Sequence, residues 1–197
     1  MESSTLFSIF IIAATLTATA VAKPRGGDFI KSSCNVTRYP DVCVKSLRPY
    51  AAALRAKQSQ SELVKAAVKV SLVYAQNSTA WTVTLSRTSR SLSKTERSAL
   101  KDCVQNFGDT SDQIRQSLTE LKHLKRGTFK FQMSNVQTWM SAALTNEDSC
   151  LDGFRYDQNG RVKVLVQGRV QNSEKLISNA LALVNNLAST GGYSKVF

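Results

Sequence analysis

The chain has 197 residues, which is enough for one domain of ordinary size with a single core. Its formal net charge is +12 at pH 7, but the lysines and arginines are scattered over all segments without a dense run. This distribution argues against a dedicated nucleic-acid groove and indicates, at most, loose adsorption to an acidic polysaccharide or a membrane surface. His123 is the only histidine and no C-x-x-C pair occurs, so neither a metal site nor another cofactor site is expected.

Residues 1–22 are predicted to be a secretory signal peptide. An apolar run over residues 6–16 is followed by small residues that end in Ala20-Val21-Ala22, an A-x-A cleavage pattern, although no Lys or Arg precedes the run. A membrane anchor is the alternative, but the run is too short to span a bilayer and no second apolar stretch follows. Secretion is therefore favoured, and the mature chain should begin near Lys23.

Residues 23–58 are predicted to form an N-terminal helical hairpin. Residues 28–34 make one short helix and residues 40–53 a second, which Pro40 can start because the first helical turn needs no donor there. Such a hairpin buries too little apolar surface to be stable alone. It must therefore pack on the rest of the chain or on another molecule.

Four cysteines in a secreted chain imply two disulfides, for which three pairings are possible. Sequential pairing, Cys34 with Cys43 and Cys103 with Cys150, is the simplest. On the chain-entropy model, the longer of the two loops would stabilise the fold by about 4 kcal/mol.

Residues 59–197 are predicted to form a four-helix bundle in up-down-up-down order. No proline occurs after Pro49, as long uninterrupted helices require. The first long helix should span about residues 61–89, where apolar residues recur at alternating steps of four and three. The residues on this predicted seam are Leu63, Ala67, Val70, Tyr74, Trp81 and Leu85.

Capping signals predict where the next two helices begin. Ser93 and Glu96 form a capping box that opens the second long helix, which should run to about residue 124. Ser134 and Gln137 form a second box of the same type, which is predicted to open the third.

The third helix should end before Gly153, and the fourth should begin near Val162. Residues 162–166 alternate between apolar and polar side chains as a strand does. The apolar steps continue to Leu187 without a turn signal, however, so a helix is favoured throughout.

The sequence contains no pattern typical of an enzyme, such as a nucleophile elbow, a phosphate-binding glycine loop or a zinc-protease helix. Several acids are close enough in sequence to pair: Asp109, Asp112, Glu147, Asp148 and Asp152. A bundle surface offers them no cleft that would raise a pKa. They are therefore predicted to be solvated surface acids, with contact to a partner protein as the sharper alternative.

Two N-glycosylation sequons begin at Asn35 and Asn77. Asn35 lies between Cys34 and Cys43 and should be exposed. Asn77 lies on the seam that carries Tyr74 and Trp81, and an asparagine that faces the core cannot carry a glycan. Either the seam or the second glycosylation site must be wrong.

Several motifs together resemble the plant invertase and pectin methylesterase inhibitor family, and the match covers essentially all of the mature chain. They are Cys34-x8-Cys43 with Tyr39-Pro40 between, Lys101-Asp102-Cys103, residues 135–154 with the ending Ser149-Cys150-Leu151-Asp152-Gly153-Phe154, and SNALALVNNL near the end.

The resemblance implies an all-α fold, in which an N-terminal helical hairpin precedes an up-down-up-down four-helix bundle and both disulfides pair sequentially. It also implies a secreted, non-enzymatic protein of the apoplast or cell wall that caps the active-site cleft of a carbohydrate-acting enzyme. Because the chain ends at Phe197 without a catalytic domain, a free-standing inhibitor is expected.

Pectin methylesterase is the favoured target, since similar inhibitors of that enzyme dock through the second and third bundle helices. Carried over by position from Cys103 and Cys150, the candidate partner-binding residues are Gln105, Asp109, Asp112, Ser149 and Asp152. Gln105 stands where an acid is common in the family.

Acid invertase is the alternative target. Similar invertase inhibitors use a Pro-Lys-Phe motif, however, and the nearest string here is Phe129-Lys130-Phe131. The basic charge keeps open a third alternative, a wall protein that binds pectin without inhibiting either enzyme.

Overall fold

The computed structural model describes residues 26–155 and 160–191, and within these ranges all regular structure is helical. The predicted signal peptide lies outside the described residues. In this part of the chain, seven α-helices follow one another: α1 Gly26–Cys34, α2 Pro40–Leu47, α3 Ala51–Lys57, α4 Gln60–Thr88, α5 Lys94–Lys122, α6 Phe129–Asp152 and α7 Arg161–Ser189. The all-α prediction is therefore confirmed, and so is the choice of helix over strand for residues 162–166.

Helices α4 to α7 form the predicted four-helix bundle. α5 packs against α4 and α6, and α7 packs against α6 and α4, so the four helices close into a ring around a shared core. The connections between them are short, as antiparallel neighbours in a bundle require.

Helices α1 to α3 form the N-terminal hairpin, and its second arm is not one helix. The arm predicted over residues 40–53 is divided by a 3₁₀ turn, Arg48–Tyr50, into α2 and α3. Pro49 explains the division, since a proline inside an α-helix removes a hydrogen bond and clashes with the preceding turn. Pro40 does occupy the start of α2, as predicted.

The hairpin packs on the bundle of the same chain. The sequence had left open whether it packs there or on another molecule. Its buried apolar residues Ile30, Leu47 and Leu54 belong to the same core cluster as residues of α4 and α7. A buried side chain of α7 adds a polar link, because Asn179 accepts a hydrogen bond from the Tyr39 backbone N–H at 3.0 Å and donates one to the Tyr39 carbonyl at 2.8 Å.

The two predicted capping boxes have different outcomes. The box at α5 is confirmed: Ser93 Oγ accepts from the Glu96 backbone N–H at 3.1 Å, and Glu96 Oε2 accepts from the Ser93 N–H at 2.8 Å. The box at Ser134 and Gln137 is wrong, because α6 begins five residues earlier, at Phe129.

Gln132 organises the connection between α5 and α6 instead. This buried side chain accepts hydrogen bonds from the Lys125 backbone N–H at 2.7 Å and from the Thr128 hydroxyl at 3.0 Å. It also donates to the His123 carbonyl at 2.9 Å. One glutamine in the first turn of α6 thus satisfies three polar groups of the turn that precedes it.

The buried face of α4 differs from the predicted seam in its second half. Val70, Tyr74, Trp81 and Leu85 are only partly buried, whereas the fully buried residues there are Ser71, Ala75, Ser78 and Thr82. The three hydroxyls are satisfied within the helix, since each donates to the carbonyl four residues earlier. Small side chains that carry their own hydrogen bonds can therefore face the core.

Candidate partner-binding site

The covalent link between α5 and α6 lies in its own buried cluster. Cys103 and Cys150 form one disulfide, Cys34 and Cys43 form the other, and both pairings are the sequential ones. Cys103 and Cys150 are fully buried. Apolar residues of α5 and α7 surround them, together with Phe154 just beyond α6: Ala99, Leu100, Phe107, Val162, Val166 and Val170.

Gly153 allows α5 and α6 to approach closely beside this disulfide. Its φ of −63° is ordinary for any residue, so conformational freedom does not explain the glycine. A Cβ at this position would lie 2.8 Å from the Cβ of Ala99 and 2.9 Å from its Cα. The sequence indicated a glycine that ends the helix, and α6 does end at Asp152, but the steric requirement only becomes visible in the structure.

All five candidate partner-binding residues lie on the two linked helices. Gln105, Asp109 and Asp112 are spaced by four and three residues on α5, on the side opposite its buried face. Ser149 and Asp152 occupy the corresponding outward side of α6. None of the five is buried, so the structure places them on the outer surface of one rigid helix pair.

Local hydrogen bonds restrain these side chains. Gln105 Nε2 donates to Asp109 Oδ1 at 3.0 Å, and Asp112 pairs with Arg115 one turn later. Asp152 accepts two hydrogen bonds from the Arg155 guanidinium, at 2.9 and 3.2 Å.

The Ser149 hydroxyl donates to the Thr145 carbonyl at 2.9 Å. The face thus presents two carboxylates that are each paired with an arginine three residues later, and a third, Asp109, that accepts from a neutral amide. It also presents one hydroxyl, which is directed back to its own backbone.

Glu147 corrects the prediction that the acids of this region are all solvated. Its side chain is fully buried on α6, and Oε1 accepts a hydrogen bond from the Ser173 hydroxyl of α7 at 2.8 Å. Among the described residues, no donor is in hydrogen-bond geometry with Oε2. Burial raises the pKa of the Glu147 carboxyl to about 8, although the Ser173 hydrogen bond partly opposes this shift.

The spacing of residues along α6 indicates that Glu147 lies on the buried face. Ala143, Glu147 and Cys150 follow steps of four and three, so they share one face of α6, and both flanking residues are buried.

Two further carboxyl groups, Glu174 of α7 and Asp148 of α6, adjoin Glu147 at the surface between these helices. Burial raises the pKa of Glu174 on α7 to about 7, and the neighbouring Asp148 of α6 contributes to the shift through a hydrogen bond and its negative charge. Asp148 itself is exposed. Three acids from two helices therefore meet at one place. Two of them were predicted to be solvated, and of these Asp148 is exposed whereas Glu147 is buried.

The structure also resolves the conflict at Asn77. The Asn77 side chain is exposed, as is that of Asn35 in the loop between α1 and α2. The guanidinium of Arg169 lies beneath Asn77, stacked on Tyr74 at 5.0 Å and on Trp81 at 5.1 Å, and it donates to the Asn77 carbonyl. The predicted seam was therefore wrong at this point, and both asparagines expose their side chains.

Two further features bear on the possible partners. In the string Phe129-Lys130-Phe131, Phe129 is buried and only Phe131 exposes its ring, at 69% of the full area.

Over residues 26–155 and 160–191, no helix is long and apolar enough to cross a membrane, and no three acids, histidines or cysteines are grouped as metal ligands would be.

A family comparison agrees with these observations. The pattern described as "Plant invertase/pectin methylesterase inhibitor" matches residues 28–183, which include the hairpin, both disulfides and most of α7. The chain belongs to this family. The family is named for inhibitors, and relatives that match along nearly all of their own length carry that name.

Relatives within the family match along nearly the whole chain. "Pectinesterase inhibitor 9" of Arabidopsis thaliana is 37% identical over 94% of this chain and 94% of its own length. "Pectinesterase inhibitor 3" of the same plant is 39% identical over 95% of this chain and 94% of its own length.

Among solved structures, a mutant form of a pectin methylesterase inhibitor from Arabidopsis superposes with a TM-score of 0.59. It is 17% identical in sequence, and the match covers 79% of this chain and 95% of that one. At this identity the likeness establishes the fold alone.

Proposed function

We propose that this protein is a secreted, non-enzymatic inhibitor of pectin methylesterase, which blocks the enzyme by inserting the outer face of α5 and α6 into its active-site cleft. The observation that carries the proposal is the disulfide that joins these two helices inside a buried cluster. A rigid helix pair loses little conformational freedom on binding, and preorganisation of this kind is what makes inhibitor complexes tight. The names of the relatives support pectin methylesterase as the target rather than acid invertase.

The proposed contact residues are Gln105, Asp109, Asp112, Ser149 and Asp152. Two of the carboxylates already pair with an arginine one turn later on the same helix or just beyond its end. A partner that supplies its own cations or hydrogen-bond donors can exchange with these exposed pairs at little cost, since exposed ion pairs contribute only about 0–1 kcal/mol.

Extracellular location and glycosylation belong to the same proposal. All four cysteines are in disulfides, as is typical of secreted proteins. Residues 1–22 would direct the chain into the secretory pathway, and the exposed side chains of Asn35 and Asn77 are accessible to glycosylation. Mass spectrometry of protein secreted from plant cells, before and after enzymatic removal of N-glycans, tests the cleavage point and both sites.

The inhibition assay follows methanol release from methyl-esterified pectin by several plant pectin methylesterase isoforms, at mildly acidic to neutral pH. Increasing amounts of the mature chain should reduce the rate, while sucrose hydrolysis by acid invertase should be unaffected. Loss of activity only in the invertase assay would reverse the choice of target. No inhibition of either enzyme would refute the proposal.

Paired variants locate the inhibiting surface. Asp109→Asn with Asp112→Asn removes one half-buried and one exposed acid from the proposed face, and Asp28→Asn with Asp41→Asn removes two exposed acids from the hairpin. Both doubles change the net charge equally. Only the first should weaken inhibition, and equal effects from the two would exclude this face as the site of contact.

A further inference from the structure

A groove of about 440 Å³ lies between the N-terminal hairpin and the bundle, where α3 faces α4 and α5. A depression of about 330 Å³ continues it along the same helices. The two share the residues Lys57, Glu62, Lys65 and Lys122. Together they form one elongated concavity, which we call the lysine groove.

The lysine groove concentrates positive charge that the sequence showed only as scattered residues. Lys57 comes from α3, Lys65 and Lys69 from α4, and Lys122 from α5. Glu62 is the one acid among the lining residues, and the Lys65 ammonium neutralises it at 2.7 Å. The other three lysines are exposed to solvent, so the groove presents a net positive charge to whatever enters it.

The bottom and one end of the lysine groove are apolar. Leu54 from α3, Ala66 from α4 and Leu118 from α5 are buried beneath the lysines, and the half-buried ring of Tyr50 stands beside them. A ligand that suits this lining must carry anions along its edges and an apolar surface on its faces. A pyranose ring with a carboxylate has both properties, because its C–H face packs on aromatic and aliphatic side chains.

We propose that the lysine groove binds a chain of uronic acid residues, that is, an acidic polysaccharide with free carboxylates. The elongated shape fits a linear polymer better than a compact solute. A bilayer presents its anionic headgroups in a plane, which cannot enter a concavity between three helices.

This inference does not rest on the proposed inhibition. Asp112 and Lys122 are separated by about 15 Å along α5, so a polysaccharide and an enzyme could be held at the same time.

Isothermal titration of the mature chain with oligogalacturonates of defined length tests the proposal without any enzyme present. Binding should be measurable at an ionic strength of about 0.01 M and should weaken strongly at about 0.15 M, since screening shortens the range of these charges. Fully methyl-esterified oligomers of the same length should not bind, because they lack the carboxylates.

Two charge-matched quadruple variants localise the binding. The groove variant replaces Lys57, Lys65, Lys69 and Lys122 by glutamine. The control variant replaces four exposed lysines outside the groove, Lys31, Lys45, Lys94 and Lys130. Loss of the three lysines that the groove presents to solvent predicts at least about tenfold weaker binding by the groove variant, and little change in the control. Melting temperatures of both variants show that each is folded.

Three results would overturn the proposal. Equal weakening in both variants would mean that net charge, rather than the groove, attracts the polysaccharide. Equal binding of methyl-esterified and free-acid oligomers would exclude recognition of carboxylates. Binding to anionic lipid vesicles through the groove lysines, with none to oligogalacturonate, would make a membrane surface the occupant.

Discussion

Replacing Glu147 by glutamine tests whether the carboxyl group between α6 and α7 is protonated in the folded protein. The substitution keeps the shape of the side chain and preserves an oxygen that can accept the Ser173 hydrogen bond. In the wild type this bond joins Ser173 Oγ to Glu147 Oε1 at 2.8 Å. It removes the charge that the buried site disfavours. The groups that face this carboxyl are Ser173, Glu174 and Arg169 of α7 and Thr110 of α5.

The expected effect of Glu147 on stability follows from its two pKa values. Burial raises the pKa from 4.5 to about 8 on folding. Because each pKa unit corresponds to 1.36 kcal/mol, the folded state loses about 5 kcal/mol of stability when the pH rises from below 4.5 to above 8. The loss has this sign because the folded protein retains a proton that the unfolded chain has released. It is a third or more of the stability of an ordinary domain.

Urea unfolding of the wild type and of Glu147→Gln, measured at several pH values from 4 to 9, checks this expectation. The wild type should be most stable in mild acid and should weaken progressively toward pH 8. The variant should match it near pH 4.5 and exceed it by several kcal/mol at about pH 8, which corresponds to roughly 10–20 °C in melting temperature. A smaller slope should remain in the variant, because burial also raises the pKa of Glu174 to about 7.

Glu120→Gln provides the matched control, since it removes one negative charge from a half-exposed position on α5. Its stability profile should run parallel to that of the wild type. If wild type and Glu147→Gln showed the same dependence on pH, Glu147 would be ionised in the folded bundle, contrary to this expectation.

Three further substitutions test the packing around the site. Gly153→Ala places a Cβ 2.8 Å from the Cβ of Ala99, and the clash should lower the free energy of unfolding by about 1–3 kcal/mol in thermal unfolding. Adding Ala99→Gly should restore part of the loss. No change in the single variant would show that the helices separate freely. Asn179→Ala leaves the Tyr39 backbone N–H unpaired and removes one of the two hydrogen bonds to the Tyr39 carbonyl, which still accepts from the Cys43 N–H. It should cost about 1–3 kcal/mol, with faster hydrogen exchange in the hairpin than in α5, and uniform exchange would contradict a local anchoring role. Gln132→Ala removes three hydrogen bonds from the α5–α6 connection and should lower the free energy of unfolding by about 2–3 kcal/mol in urea. An unchanged free energy would mean that water replaces the side chain.

The local signals in the sequence predicted the helices well where each signal acts through its own backbone. The box of Ser93 and Glu96 caps α5 because both hydrogen bonds are made within four residues. Pro40 starts α2 for the same local reason, and Pro49 divides the arm that was predicted as one helix over residues 40–53. The pattern of Ser134 and Gln137 failed because an identical spacing occurs by chance inside a helix whose start is determined by Gln132 and the preceding turn.

Burial was harder to predict from residue type than from spacing. Large apolar residues were assigned to the core of α4, but Ser71, Ser78 and Thr82 are buried there because small side chains allow the helices to pack closely. Glu147 was assigned to the surface because it is a carboxylate, although it shares its helical face with Ala143 and Cys150. In both cases the 3.6-residue period was informative and polarity was misleading. The buried hydroxyls of α4 donate to carbonyls of their own helix, and Glu147 is buried with Oε1 bonded to Ser173 and with its pKa raised.

Periodicity and proline positions predicted the class of fold, because both are properties of neighbouring residues. The family resemblance, rather than cysteine spacing, implied the disulfide pairing and the two helices that carry the candidate site. Tertiary packing, in contrast, places the hairpin on the bundle, buries Glu147 against Ser173 and brings lysines from three helices to one groove. Those outcomes depend on which surfaces meet when the helices pack. Contacts between residues far apart in the chain have no local signature.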